Sequence, residues 1–252
     1  MKILVIADIH GNAEALRAVL KKDGDADRTI FLGDAVLPGP QANETIELMK
    51  GMPQGINILG NHDYELLDSS MLLLDGWPPH WLAYSKWIRE HLDPAGYDYV
   101  KTFHPEGEFE EDGIRMLLRH GFLPGGVRHL VPDTPDEKFI ELANGSSCKY
   151  VLFGHSHIQF RRMVNGQEFI NPGSVGQNRC GRNAACYGLI EDGIFRHCQI
   201  SYDNQGWLDA IDRIPPLQEF PDFLQRQKDG MITGFGIGDH EPWARFSQEG
   251  YW

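Results

Sequence analysis

Positive charge is scarce in this chain. Lys and Arg number 23 against 36 Asp and Glu, a formal charge of −13 over 252 residues. A surface this acidic repels phosphate backbones and anionic bilayers, so neither a stable nucleic-acid partner nor a membrane surface is expected. No run of about 20 apolar residues is present that could cross a bilayer. The apolar N-terminus is too short for a secretory leader and runs straight into Asp8 and His10. The cysteines are four, Cys148, Cys180, Cys186 and Cys198, with no CxxC spacing. That pattern argues against a structural zinc site or a disulfide framework and for reduced thiols in the cytoplasm. Internal repeats and low-complexity segments are lacking too. The hydrophobic fraction, 41%, is that of an ordinary globular chain with a proper core.

What the chain does have is a series of short polar motifs, each placed just after an apolar run. Asp8-Ile9-His10-Gly11-Asn12 follows KILVIA, and Gly33-Asp34 follows TIFL. Gly60-Asn61-His62-Asp63 follows INIL, His120-Gly121 follows RMLLR, and Gly154-His155-Ser156-His157 follows YVLF. Short β-branched apolar runs read as buried strands. Loops at the carboxyl ends of strands in an α/β sheet gather at one edge. Asp, Asn and His bind divalent metals through oxygen and imidazole nitrogen, so the motifs predict one metal centre assembled from distant parts of the chain.

Strands are expected at 2–7, 29–32 and 56–59, alternating with helices at 13–22 and 42–50. That alternation predicts a parallel sheet. Residues 64–114 read as an insertion, with a helix over 80–92 and a solvated acidic loop from Glu106 to Asp112. After residue 150, Asn165-Gly166 and Asp192-Gly193 sit between apolar runs. Such pairs adopt positive φ in type I′ turns and signal antiparallel hairpins. The whole predicts an α/β fold of two mixed sheets packed face to face with helices outside. A domain spanning 1–200 would be followed by a helical extension, 201–252, packed on it. Helices are expected there at about 206–213 and 221–228, the second stopped by Gly230.

In order, the motifs are Asp-x-His, Gly-Asp, Gly-Asn-His-Asp, His and Gly-His-x-His. This set resembles the calcineurin-like metallophosphoesterase superfamily over roughly residues 1–200. The stretch Asn171-Pro172-Gly173-Ser174-Val175-Gly176-Gln177 is similar to its small bacterial and archaeal phosphodiesterase branch. The resemblance implies a four-layer αββα sandwich with the metal site at the carboxyl ends of the strands. It assigns Asp8, His10, Asp34 and His157 to one metal and Asp34, Asn61, His120 and His155 to the other, with Asp34 bridging. A donor set of imidazole, carboxylate and amide suits two Mn, Fe, Co, Ni or Zn ions better than Ca or Mg. The implied reaction is hydrolysis of a phosphoester by in-line attack of a metal-bridging hydroxide. His62 would serve the leaving oxygen. Asp63 would either orient His62 or act as a plain turn residue.

Two departures bear on the branch. Protein phosphatases and diadenosine-tetraphosphate hydrolases carry an Arg in a GDxVxRGP loop, where this chain has Pro38. The second Arg, shortly after the GNH motif, is missing from Tyr64 to Ser70. Phosphate contacts must then come from elsewhere. Arg179 is the leading candidate and Arg128 and His129 weaker ones, while Arg119 points to the opposite face of its strand. Trp77, Trp81, Tyr84 and Trp87 either pack a helix on the sheet or form an aromatic wall of the cleft. His240-Glu241 and Trp243 either reach the cleft or lie on the surface. The expected substrate is a small phosphodiester. A phosphomonoesterase and a noncatalytic scaffold of the same fold are the alternatives, and a homo-oligomer is compatible with the sequence.

Overall fold

The computed structural model describes residues 1–74, 76–123, 129–236 and 243–249. The strands are β1 (Lys2–Ile6), β2 (Arg28–Phe31), β3 (Gly55–Asn57), β4 (Gly107–Glu111), β5 (Ile114–Arg119), β6 (Tyr150–Phe153), β7 (Gln159–Val164), β8 (Gln167–Pro172), β9 (Ala184–Glu191) and β10 (Ile194–Ser201). The helices are α1 (Ala13–Asp23), α2 (Ala42–Lys50), α3 (Asn61–Leu67), α4 (Ser70–Leu74), α5 (Pro79–His91), α6 (Pro94–Val100), α7 (Asp136–Ala143), α8 (Gln205–Asp212), α9 (Pro221–Thr233) and α10 (Ala244–Glu249). Two five-stranded sheets result, ordered β10-β9-β1-β2-β3 and β4-β5-β6-β8-β7. Both are mixed. β1, β2 and β3 run parallel, as do β5, β6 and β8; antiparallel pairs form the β10 edge of the first sheet and both edges of the second.

The period-2 alternation of the strands builds the layers. Ile3 and Val5 of β1 face Met116 and Leu118 of β5 and Leu152 of β6, forming the core between the sheets. Leu4 and Ile6 point the other way, into a second core with Leu16 and Val19 of α1, Ile46 of α2 and Trp207 of α8. On the far side of the second sheet, Leu117, Val151 and Phe169 pack on Phe139 and Leu142 of α7. Three cores separate four layers, as the αββα expectation required.

Both predicted hairpin turns form, with positive φ at Asn165, Gly166, Asp192 and Gly193. Two expectations need correction. The acidic stretch 106–112 is not a loop: β4 pairs antiparallel with β5 across a turn at Asp112 and Gly113, both at positive φ. It is an edge strand whose Glu108 and Glu110 face water, a charged edge that blocks further pairing. The last long helix is not stopped by Gly230. α9 runs on to Thr233 and is capped by Gly234 at φ 76°. A Cβ on Gly234 would meet the Arg182 carbonyl oxygen at 2.0 Å, so the tight approach explains the glycine there. The metal-ligand motifs all leave the carboxyl ends of parallel strands, β1, β2 and β3 from one sheet and β5 and β6 from the other.

Candidate metal centre

Two clusters of donors meet at this edge. Asp8, His10 and His157 form one, and Asp34, His120 and His155 the other. Within each, the ligand atoms lie within 4.8 Å of one another. Asp34 Oδ2 lies between them, 3.2 Å from His120 Nε2 and 3.8 Å from His10 Nε2. Asp8 Oδ1 is 3.3 Å from His157 Nε2 and 4.0 Å from His120 Nε2. Asn61 lines the same cleft. All seven sequence-predicted ligands therefore come together.

The hydrogen bonds fix which nitrogen each imidazole presents. His10 Nδ1 donates to the Leu37 carbonyl at 2.5 Å, His120 Nδ1 to that of Leu32 at 2.8 Å, and His157 Nδ1 to that of Gln177 at 2.8 Å. A carbonyl only accepts, so each Nδ1 carries the proton and each Nε2 offers a lone pair to the centre. His10 Nε2 and His157 Nε2 face each other at 3.1 Å. Two lone pairs at that distance repel unless a cation lies beside them. The buried Asn61 Oδ1 and His155 Nε2 have no hydrogen-bond partner. Buried polar atoms left in this way are costly, and coordination accounts for them. The donors fit divalent metal.

Electrostatics point the same way. Burial lowers His10 to about 3, assisted by the like charge of His157. Burial also holds His155 and His157 well below the ordinary histidine range. Neutral imidazoles are what a metal needs. His120 is drawn the other way: burial would lower it, but the Asp34 carboxylate lifts it to about 10. The pull comes from the buried Asp34 carboxylate, whose Oδ2 lies 3.2 Å away. Asp8 is raised to about 6 by burial first and by Asp34 in addition.

The backbone holds the ligands in a demanding shape. Asp8, His10, Asp34, His155 and His157 have φ of 53°, 47°, 65°, 66° and 61°. This left-handed region costs an L-residue about 1–2 kcal/mol. Neighbouring loops enforce it. Asp8 N donates to the Gly33 carbonyl at 2.9 Å and His10 N to that of Asp34 at 3.1 Å. The 171–177 loop closes over the same turn, with Ser174 Oγ donating to the Asp8 carbonyl at 2.7 Å and Gly176 N at 3.0 Å.

His62 lines the cleft, and of the two readings of Asp63 the hydrogen bonds favour the turn residue over the orienting one. Asp63 does not touch the imidazole. Its Oδ2 accepts from Asp34 N at 2.7 Å and Gly60 N at 2.9 Å, and its Oδ1 from Ala35 N at 2.9 Å. The residue on His62 Nδ1 is Glu65, at 2.5 Å. The sequence reading missed it because that contact exists only once α3 begins at Asn61, which sets positions 62 and 65 on one helix face.

The cleft over the centre has a volume of about 280 Å³. Trp77 and Trp81 wall it on the His62 side, and Phe122 and His129 on the His155 side. Tyr84, by contrast, is buried in the core, and Trp87 stacks on His91. Arg179 is the only guanidinium or ammonium among the described residues lining the cleft. Its Nη1 donates to the Ser156 carbonyl at 3.1 Å, and its guanidinium lies 4.1 Å from the Trp243 ring centre. Trp243 thus braces the cleft wall. Arg119 lines an adjoining groove and pairs with Glu106 at 2.9 Å. Arg128, His240 and Glu241 lie outside the described residues.

Fold and site together define a metal-dependent hydrolase scaffold, and comparison with known proteins specifies it. Residues 1–192 match the calcineurin-like phosphoesterase superfamily domain. An uncharacterized protein of Methanocaldococcus jannaschii is 30% identical, over 77% of this chain and 84% of its own length. A symmetrical bis(5'-nucleosyl)-tetraphosphatase of Methylococcus capsulatus is 41% identical, over 86% and 78%. A Sphaerobacter thermophilus metallophosphoesterase shares the fold with a TM-score of 0.67 at 22% identity, over 88% of this chain and 95% of its own. The chain belongs to the calcineurin-like phosphoesterase superfamily and is a phosphoester hydrolase.

Proposed function

We propose that the protein is a dinuclear metal-dependent phosphodiesterase. One observation carries the reading: two clusters of buried donors meet at Asp34, whose Oδ2 lies within 3.8 Å of an imidazole from each. Asp8, His10, Asp34 and His157 would hold one cation, and Asp34, Asn61, His120 and His155 the other. Two cations of the Mn, Fe, Co, Ni or Zn kind would supply Lewis acidity toward the phosphoryl oxygens and a water nucleophile at neutral pH.

The protein's own groups do the rest. His62 Nδ1 is engaged by Glu65, so Nε2 is the nitrogen left for the cleft, where it gives a proton to the leaving oxygen. Arg179 grips a non-bridging phosphate oxygen. The indole walls at Trp77 and Trp81 suit an aromatic or nucleoside ester group. A monoester dianion demands more cationic neutralisation than a diester monoanion, and a single guanidinium lining the cleft among the described residues favours the diester. The free thiols at Cys148, Cys180, Cys186 and Cys198 support a reducing compartment, the cytoplasm. A second reading, hydrolysis of a dinucleoside tetraphosphate, draws on the 41% identical relative. Pro38, where those enzymes carry a phosphate-gripping Arg, stands against it.

The test is metal analysis of purified protein, followed by kcat/KM under Mn for an aryl phosphodiester, the matching monoester and diadenosine tetraphosphate. Two metal equivalents and a diester preference are expected. A monoester preference that survives changes of metal and pH would move the protein to the phosphatases. Dominant turnover of the tetraphosphate would establish the second reading.

A further inference from the structure

The helical insertion reaches the reacting groups through one buried carboxylate. Glu65 is 1% exposed. Its Oε2 takes His62 Nδ1 at 2.5 Å, and its Oε1 accepts the indole Nε1–H of Trp77 at 2.8 Å. Its backbone carbonyl accepts Arg89 Nη1 of α5 at 2.6 Å. An indole nitrogen only donates, so Oε1 is committed as an acceptor and Oε2 is the oxygen left for the imidazole. Burying a carboxylate is costly unless it is paired. Here the pairing serves one group in the cleft and one from the insertion.

We propose that Glu65 is the positioning residue for His62, and that Trp77, by holding Glu65, makes the insertion part of the catalytic machinery. This rests on the reading of His62 as the group serving the leaving oxygen. The carboxylate holds the proton on Nδ1, sets the ring plane and stabilises the imidazolium. As the bond from phosphorus to the leaving oxygen breaks, the Nε2 proton passes to that oxygen. The Nδ1 proton stays on the Glu65 side, and the neutral ring regains its Nε2 proton from water. Trp77 also lies with its ring centre 5.6 Å from that of His62, so the residue that locks the dyad also walls the leaving-group side of the cleft.

The experiment compares wild type, Glu65→Gln, Trp77→Phe, His62→Ala and the double variant Glu65→Gln/His62→Ala, all Mn-loaded. Substrates are methyl aryl phosphodiesters whose leaving phenol runs from 4-nitrophenol to phenol. A glutamine cannot accept from both donors, because its NH2 must face one of them. Glu65→Gln should keep its metal content and KM but lose about 10–100-fold in kcat on the phenyl ester, part of the 10²–10⁴-fold an acid contributes. On the 4-nitrophenyl ester, whose leaving group needs no proton, little should be lost. Trp77→Phe should show the same leaving-group pattern more weakly, and it keeps the test alive if Glu65→Gln fails to fold. In the His62→Ala background Glu65→Gln should cost nothing further. A loss uniform across leaving groups, a lost metal equivalent or an additive double variant would overturn the proposal. If His62→Ala itself loses a metal, or shows no leaving-group dependence, the reading of His62 fails instead.

Discussion

The carboxylate of Asp63 accepts the backbone N–H of Asp34 at 2.7 Å, across 29 residues of sequence. The motif on α3 therefore shapes the loop that carries the bridging candidate. Asp63 also holds the amides of Gly60 and Ala35, and removing it would strand three buried donors. Asp63→Ala should cost on the order of 3 kcal/mol in stability. Asp63→Asn keeps one carbonyl oxygen for the two amides now on Oδ2 and should fall between. Both should weaken Mn binding by about 10–100-fold, as losses behind metal ligands do. Urea denaturation and metal titration of the two variants check the order.

Asp34 is the candidate ligand with the most to lose. It is buried, it stands between the two imidazole sets, and its Oδ1 also accepts from His62 N at 2.9 Å. Asp34→Asn should bind fewer than two metals per chain and lose nearly all turnover. Plasma mass spectrometry alongside kinetics decides it; two tightly held metals with normal turnover would end the assignment.

Arg179 should act on substrate and not on metal. Its guanidinium lies against Trp243 and lines the cleft. Arg179→Ala should raise KM for aryl diesters by about 10-fold or more, in line with the loss of a charge-assisted hydrogen bond worth about 1.5–3 kcal/mol. Metal content should not change. An unaltered KM would assign Arg179 to packing alone.

A pH effect is expected away from the metal centre, at His197. Its Nε2 donates to the Asn171 carbonyl at 2.8 Å. Burial lowers its pKa to about 4, with Arg161 pushing the same way and the Asn171 contact opposing. The unfolded chain titrates near 6.5, so below that pH it binds a proton that the folded protein refuses. His197 thus withdraws stability as pH falls from about 6.5 to about 4 and is neutral above. In His197→Gln the urea midpoint should fall less over that window than in wild type. Parallel pH profiles would reject the role.

The gathering of the candidate ligands at one edge was legible because each motif follows an apolar strand, and parallel strands deliver their loops to one edge. What was not legible depended on register. Glu65 faces His62 only because α3 begins at Asn61, and Trp77 meets Glu65 only after the insertion folds back. β4 hid because an edge strand with Glu108 and Glu110 outward offers Phe109 as its one large apolar residue, although Asp112-Gly113 carried the same turn signal as the two hairpins that were read. Gly230 looked like a helix stop, but it is buried within α9, and the close approach to Arg182 falls four residues later.

The left-handed backbone at Asp8, His10, Asp34, His155 and His157 has an evolutionary consequence. At each of these positions the residue that best suits the chain is glycine, and the residue that suits the chemistry is the one present. Replacing a ligand by glycine relieves strain and removes a buried polar group, while alanine removes the group and keeps the strain. Selection for turnover therefore has to hold these residues in a conformation that their own backbone disfavours.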